Sequence, residues 1–229
     1  MAMPSVTDYQ RQRYRSLDQA LVHWREQRLL TALLSACQLQ GGSLLDVPCG
    51  YGRFTALFAR LGIQATGADA WYDMVQLARR EQAPPAHRRW LQADLAHLPC
   101  VDNAFDCVVS LRLFHHHFTQ DERRRMVREL GRVARRYVIF SFYHQTSLHA
   151  MARHWRGTQG RLNMLSTSQV QALIQASGLQ LWRHAALCPL LHAQTFVVLR
   201  KPEAAPDKRI SSLVSRALPL YDGLPEPVV

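Results

Sequence analysis

The stretch Ser43–Phe54, SLLDVPCGYGRF, decides how the rest of the chain is read. A short apolar run ends in an acid, Asp46. Pro48, Gly50 and Gly52 follow, and then Phe54, Leu57, Phe58 and Leu61 recur at helical spacing. The pattern predicts a strand, a tight glycine turn and a helix. Glycine has no Cβ, so such a turn lets backbone N–H groups and a helix N-terminus approach a ligand closely. A phosphate ligand needs positive surroundings, yet Asp46 closes the strand and no lysine follows the glycines. A carboxylate at that place repels pyrophosphate and attracts an ammonium group.

Beyond this unit, Gly62 ends the helix and IQATGAD predicts a second strand closing on Asp69, 19 residues past Gly50. At that separation a strand-end acid reaches a ribose diol in a doubly wound sheet. Capping of the next helix, WYDMVQLARR, is the alternative role. RWLQADLAHLPC predicts a third strand running into a turn, and Phe105 to Leu111 is a near-continuous apolar run suited to a central parallel strand.

Together these residues resemble the class I S-adenosylmethionine-dependent methyltransferases. Asp46, Gly50 and Gly52 match the family's first motif, Asp/Glu-x-Gly-x-Gly-x-Gly, with Pro48 in place of its first glycine. GADAWYDMVQLAR, which contains Asp69 and Ala70, is similar to the second motif, and RWLQADLAHLPC to the adenine-binding segment. The resemblance spans roughly Gly42 to Arg200 and implies a Rossmann-like α/β fold, with seven strands, the last antiparallel, and helices on both faces. It implies S-adenosylmethionine as cofactor and S-adenosylhomocysteine as product. Asp46, Pro48, Gly50 and Gly52 would hold the amino acid end, and Asp69 with Ala70 the ribose. By the same resemblance the Asp94 carboxylate would accept from the adenine amine and the Leu95 N–H would meet a ring nitrogen. Asp94 as a plain turn residue is the alternative.

Ligands in such sheets sit beyond the carboxyl ends of the strands, so Leu111 to His116 should face the reactive methyl group. Consecutive histidines point in different directions on a regular backbone, which disfavours a shared metal, and no metal is expected. Imidazole titrates near neutrality and suits a base. Phe114-His115-His116 is similar to the Leu-His-His of many small-molecule methyltransferases, where the first His sometimes acts as base. His115 is therefore favoured over His116, against the alternative that both only begin a helix.

The remaining chain frames this core. Residues 1–42 form a basic N-terminal helical cap, 43–200 the cofactor-binding domain, and 201–229 a Pro-rich tail. In the cap, Tyr9 and Tyr14 could cover a cationic ligand or simply pack. TQDERRRMVRELGRV predicts an amphipathic helix opened by a Thr119–Glu122 capping box, YVIFSFY a strand, and Ser166 to Gly178 a capped helix. Between them, the irregular segment 144–165 is rich in His and Arg and forms the candidate acceptor lid. His144, His149 and Arg153, with Arg112 after the fourth strand, are its candidate acceptor-binding groups, suited to phosphate or carboxylate. A solvated surface segment is the alternative.

The chain of 229 residues carries 28 Lys and Arg against 17 Asp and Glu, a formal charge of +11. Such a balance favours an anionic partner, although an Arg-rich genomic composition produces the same number. The five scattered cysteines form no C-x-x-C pair and read as reduced, buried small hydrophobes. No long apolar run or hydrophobic signal core is present, which leads to an expectation of a cytoplasmic protein. In the tail, Ile210, Leu213, Val214, Ala217 and Leu218 fall on one helical face beside Lys208, Arg209 and Arg216. Residues 207–221 could thus contact the inner membrane surface or another protein, or pack back on their own domain.

The expected function is methyl transfer to an O or N atom of a small or glycan-like, anionic acceptor. SFYHQTSLHAMARHWRG resembles bacterial methyltransferases associated with surface-polysaccharide or lipopolysaccharide enzymes. No Asn/Asp-Pro-Pro-Tyr/Phe/Trp signature follows the fourth strand, where Ser110-Leu111-Arg112-Leu113 stands, so nucleic acid is not the favoured partner. RNA methylation is the second reading, and a non-catalytic cofactor-fold scaffold the third.

Overall fold

The computed structural model describes residues 17–81, 89–145, 163–188 and 192–202. In chain order they form α1 (Leu17–Ala36), β1 (Ser43–Asp46), α2 (Thr55–Arg60), β2 (Gln64–Asp69), α3 (Tyr72–Glu81), β3 (Arg89–Gln92) and β4 (Phe105–Ser110). There follow α4 (Gln120–Val133), β5 (Ala134–Tyr143), α5 (Thr167–Ser177), β6 (Gln180–Cys188) and β7 (His192–Arg200). One sheet of seven strands runs in the order β3-β2-β1-β4-β5-β7-β6. β7 is antiparallel to β5 and to β6, and the other pairs are parallel. This is the expected mostly parallel, doubly wound sheet with its chain reversal at one edge.

Local chemistry fixes the elements. Gly62 ends α2 with φ 68° and Gly178 ends α5 with φ 68°, left-handed positions that glycine takes without a Cβ penalty. The Thr119 hydroxyl accepts the Glu122 N–H while the Glu122 carboxylate accepts the Thr119 N–H, so the capping box opens α4 as expected. Ser166 and Gln169 make the same reciprocal pair at α5. The expected strand YVIFSFY starts earlier, at Ala134, immediately after α4.

The core lies in two layers, one on each face of the sheet. α4 and α5 pack Val127, Leu130, Val170 and Leu173 against Val108, Val138, Phe140 and Val197. On the opposite face α1 and α2 pack Leu30, Leu33, Leu57 and Phe58 against Leu44, Val109, Ile139 and Phe196. Strand β4 contributes to both layers, which is why its sequence is apolar throughout. The segment between β3 and β4 is fastened from α4: Arg132 donates to the carbonyls of Leu98 and Cys100 and pairs with Asp102 and Glu129. Glu129 in turn accepts the Leu98 N–H at 3.1 Å.

Gly67 shows how closely the strands are covered. It lies in register with Trp90, and a Cβ placed there would come 2.5 Å from the Trp90 ring and 3.2 Å from Cys49 Sγ. We expect Gly67→Ala to cost about 1–3 kcal/mol through overpacking. Urea denaturation followed by tryptophan fluorescence checks this, and exchanging Trp90 for Leu in the same protein should recover part of the loss.

Candidate cofactor and active site

The segments that follow β1 and β4 meet α1 at His23 and Glu26. Asp46 is in register with Gly67, two residues before Asp69. Side chains alternate along a strand, so both carboxyls project to the same face, that of α1 and α2. Both are buried, with 3% of Asp46 and 8% of Asp69 exposed. Burial, and then repulsion from Asp69, pushes the Asp46 carboxyl up to about 8 against the pull of Arg53. Burial raises Asp69 too, with partial relief from the N–H groups of Trp71, Gly50 and Ala70. Two buried acids at one place, both raised by burial, make a site that a cation would relieve.

The glycine turn joins these acids. Val47 N–H donates to the Val109 carbonyl at 2.9 Å and Cys49 N–H to the Ala68 carbonyl at 2.8 Å, tying the turn to both neighbouring strands. Pro48 has no N–H to give, and none is required of it between these two anchors. Gly50 and Gly52 have φ of 54° and 78°, so positive φ falls on the two residues able to take it. A Cβ on Gly50 would meet nothing within 4 Å, which leaves open space over the turn. Asp69 accepts the Gly50 N–H at 2.9 Å on one oxygen and the Trp71 N–H at 3.0 Å on the other. It therefore holds the entry to α3, in line with the capping alternative, and braces the glycine turn as well, which neither alternative contained. Ala70 is exposed and its carbonyl accepts from Gln92 at 3.2 Å.

Other sequence-predicted residues are placed as follows. Asp94 is exposed and accepts the Ala96 N–H at 2.9 Å, while Leu95 is buried in the α4 core layer. Leu111 points into the α1 core layer, so its side chain is packing. His115 is buried, with its ring 4.4 Å from that of His116 and 4.8 Å, edge-on, from Tyr143. The two imidazoles are therefore neighbours, contrary to the divergence expected of consecutive histidines, because a turn rather than a helix or strand carries them. Nor do they begin a helix, since α4 starts only after Thr119. The turn is held through its carbonyls: Asn163 N–H donates to His115 at 2.8 Å and buried Arg123 donates to His116 at 3.0 Å. Among the described residues no group of three or more His, Cys, Asp or Glu could hold a metal.

Arg112 faces inward on Glu26 of α1, with Nε 2.7 Å from one carboxylate oxygen and Nη2 2.9 Å from the other. The position expected of an acceptor-binding cation is thus occupied by an internal ion pair. His144 is half-buried with Nε2 3.0 Å from Thr167 Oγ1, and burial lowers its pKa. Tyr9, Tyr14, His149, Arg153 and the tail segment 207–221 lie outside the described residues. No described helix is long and apolar enough to cross a membrane.

Sequence reasoning missed Glu26, His23, Arg53 and Arg123. Glu26 was detectable as an acid one turn before Leu30 on the apolar stripe of α1. Nothing in the sequence marks Arg53 or Arg123, which matter only because distant segments fold onto them.

A carboxyl with a folded pKa near 8, against an ordinary 3.8, binds its proton more tightly in the folded chain than in the unfolded one. Its contribution to stability is therefore full at low pH and falls as pH rises from about 4 to about 8. Asp46→Asn should melt with the unaltered protein near pH 3.5 and several degrees above it at pH 8.5, as read by calorimetric scans across that range.

Comparison with known proteins agrees with this geometry. Residues 44–136 match the methyltransferase domain family, from the core of β1 to the start of β5. The chain is 27% identical over 96 residues to the probable tRNA methyltransferase 9B of Homo sapiens, a match covering 42% of this chain and 20% of that protein. It is 28% identical over 115 residues to the malonyl-[acyl-carrier protein] O-methyltransferase of Hamiltonella defensa, covering 49% of this chain and 42% of that one. The matches thus span about a fifth and about two fifths of the length of these relatives. Among solved structures, magnesium protoporphyrin IX methyltransferase from Synechocystis PCC 6803 with bound S-adenosylhomocysteine aligns with a TM-score of 0.72 at 20% identity, over 85% of this chain and 94% of that one. The acid-ended first strand and the glycine turn lie within the residues that match the methyltransferase domain family, and the chain shares its fold with the solved methyltransferase it aligns with.

Proposed function

We propose that this protein transfers a methyl group from S-adenosylmethionine to an oxygen or nitrogen atom of a small or glycan-like anionic acceptor. The observation that carries the reading is the buried Asp46–Asp69 pair beside a glycine turn with open space above Gly50. A ligand with a cationic amino acid end fits it and a pyrophosphate does not. S-adenosylmethionine supplies a methyl on a sulfonium centre, which is electrophilic as bound.

What the chain must add is alignment and, for some acceptors, a place for a proton. Asp46 accepts from the ammonium group and is thereby ionised. Asp69 holds the turn and accepts from ribose hydroxyls, and Asp94 with the Leu95 N–H reads the adenine edge. His115, supported from behind by Tyr143 and His116, takes the acceptor's proton. The anionic acceptor is supported by the +11 charge and by the O-methyltransferase relative, which acts on malonyl-[acyl-carrier protein].

RNA is the second reading, favoured by the relative named as a tRNA methyltransferase together with the same charge.

Calorimetry should show the protein binding S-adenosylmethionine, with Asp46→Asn weakening binding about tenfold or more. A folded protein that binds none of it sinks the reading. Mass spectrometry of copurified ligand, followed by an acceptor screen detecting S-adenosylhomocysteine, identifies the acceptor. With that acceptor, His115→Ala should slow turnover about 10²–10⁴-fold, and unchanged turnover removes the base assignment. For RNA, affinity should fall steeply and linearly on a log–log plot against salt, and absence of RNA binding at low salt eliminates that reading.

A further inference from the structure

The outward face of α1 carries a combination that the core layer does not explain. Leu21, Trp24, Arg25 and Arg28 follow one another at helical spacing and form one stripe, opposite the face that sends Glu26, Leu30 and Leu33 inward. All four are exposed, Leu21 to 57% and Trp24 to 50%. A single apolar side chain in water is ordinary. A leucine and a tryptophan one turn apart, on a stripe whose other members are arginines, form a patch. Arg28 lies over the Trp24 ring, 5.0 Å from its centroid. Arg25 donates from Nε to the Leu187 carbonyl of β6 at 3.1 Å. Glu26, the one acid between Leu21 and Arg28, gives its ion pairs to Arg53 and Arg112, and neither Arg25 nor Arg28 has an acidic partner among the described residues.

The Arg25 contact sets this stripe beside β6, the edge strand of the sheet. That side of the protein is cationic. Residues 130–202, which include β5, α5, β6 and β7, contain eight arginines, one lysine and no Asp or Glu, and so carry nearly all of the chain's +11. Arg136, Arg183 and Arg200 make no ion pair among the described residues, and they are grouped. The Tyr137 and Trp182 rings lie 5.2 Å apart, Arg136 covers the first at 5.2 Å and Arg183 the second at 4.8 Å. Arg200 stands opposite Tyr137 in the β5–β7 ladder, and Trp182 packs against the core layer that α1 closes. Separation of sign within one domain directs its field at an anionic partner.

The stripe decides which anionic partner. A phosphodiester backbone would use the arginines and leave Leu21 in water. A neutral protein face would cover Leu21 and Trp24 and leave the cations unanswered. A lipid surface with anionic headgroups takes all four, because the apolar pair enters the headgroup boundary while the guanidinium groups meet lipid phosphates.

We propose that α1 docks the protein on an anionic lipid surface, with Leu21 and Trp24 inserted at headgroup level, Arg25 and Arg28 on the phosphates, and the cationic β5–β7–β6 side drawing the protein in. Glu26, on the opposite face of the same turn, holds Arg112, so the docked helix is also the one that holds the segment after β4. Docking of this kind is independent of the cofactor and of the acceptor.

Co-sedimentation of the full chain with vesicles tests this. Vesicles of phosphatidylcholine mixed equally with phosphatidylglycerol should bind it at low salt, vesicles of phosphatidylcholine alone should not, and affinity should fall as salt rises. Leu21→Ser combined with Trp24→Ser should weaken binding about tenfold or more and leave its salt dependence in place. Arg28→Gln should weaken it about fivefold and make the salt dependence shallower. These side chains are exposed, so melting temperatures should move little. If the double variant does not fold, Arg28→Glu carries the test, with a loss of about tenfold. No binding to the anionic vesicles at low salt overturns the proposal, and so does binding that the α1 variants leave unchanged. A dimer in sedimentation that the double variant converts to monomer also overturns it, since a second copy then covers the stripe. Generic RNA bound in place of vesicles, and lost in the same variants, assigns the stripe to nucleic acid and overturns it as well. A protein that binds the vesicles and no S-adenosylmethionine removes the cofactor reading and upholds the docking.

Discussion

Parallel pairing of β1 with β2 sets Asp46 opposite Gly67 and so brings Asp69, two residues on, to the same face of the sheet. Everything at the site follows from that register. The two carboxyls are buried at adjacent strand ends, where water cannot solvate both charges, and neither meets a full complement of cations. Folding therefore concentrates an electrostatic cost at one place, which a neighbouring positive charge would relieve. A slip of one residue in this pairing would send Asp69 to the opposite layer and dissolve the pair.

The glycine turn and the register depend on one another. Asp69 accepts the Gly50 N–H, so an acid that repels its neighbour is also a brace for the loop between them. The left-handed conformations of Gly50 and Gly52 let the loop fold back on β2 while open space remains above it. Cys49, tucked between Gly67 and the acids, fills the space beneath. The same residues thus close the core on one side and leave Gly50 facing open space on the other.

Much of this was legible in the chain. Strand β1, the turn, α2, β2, β4 and the capped α4 and α5 follow from periodicity and capping residues, which are local signals, whereas the reversed last strand was implied by the family resemblance alone, since its pairing with β5 joins residues about 50–60 apart. The first-motif residues of the site were legible for the same reason. The behaviour of His115 and His116 was not, since their stacking depends on a turn held by Asn163 and Arg123 from elsewhere. Arg112 read as a free cation for an acceptor because the sequence does not show Glu26, 86 residues away, arriving at its guanidinium.

The sequence alone therefore determined the strand–turn–helix unit, the sheet class and the chemical character of the cofactor end, since these are local patterns of apolar spacing, glycine and charge. Tertiary structure alone decided which charges are satisfied. Whether Arg53 and Arg112 serve a ligand or an internal acid, and whether Asp46 holds its proton, depend on burial and on distances between segments far apart in the chain, and no local pattern encodes either quantity.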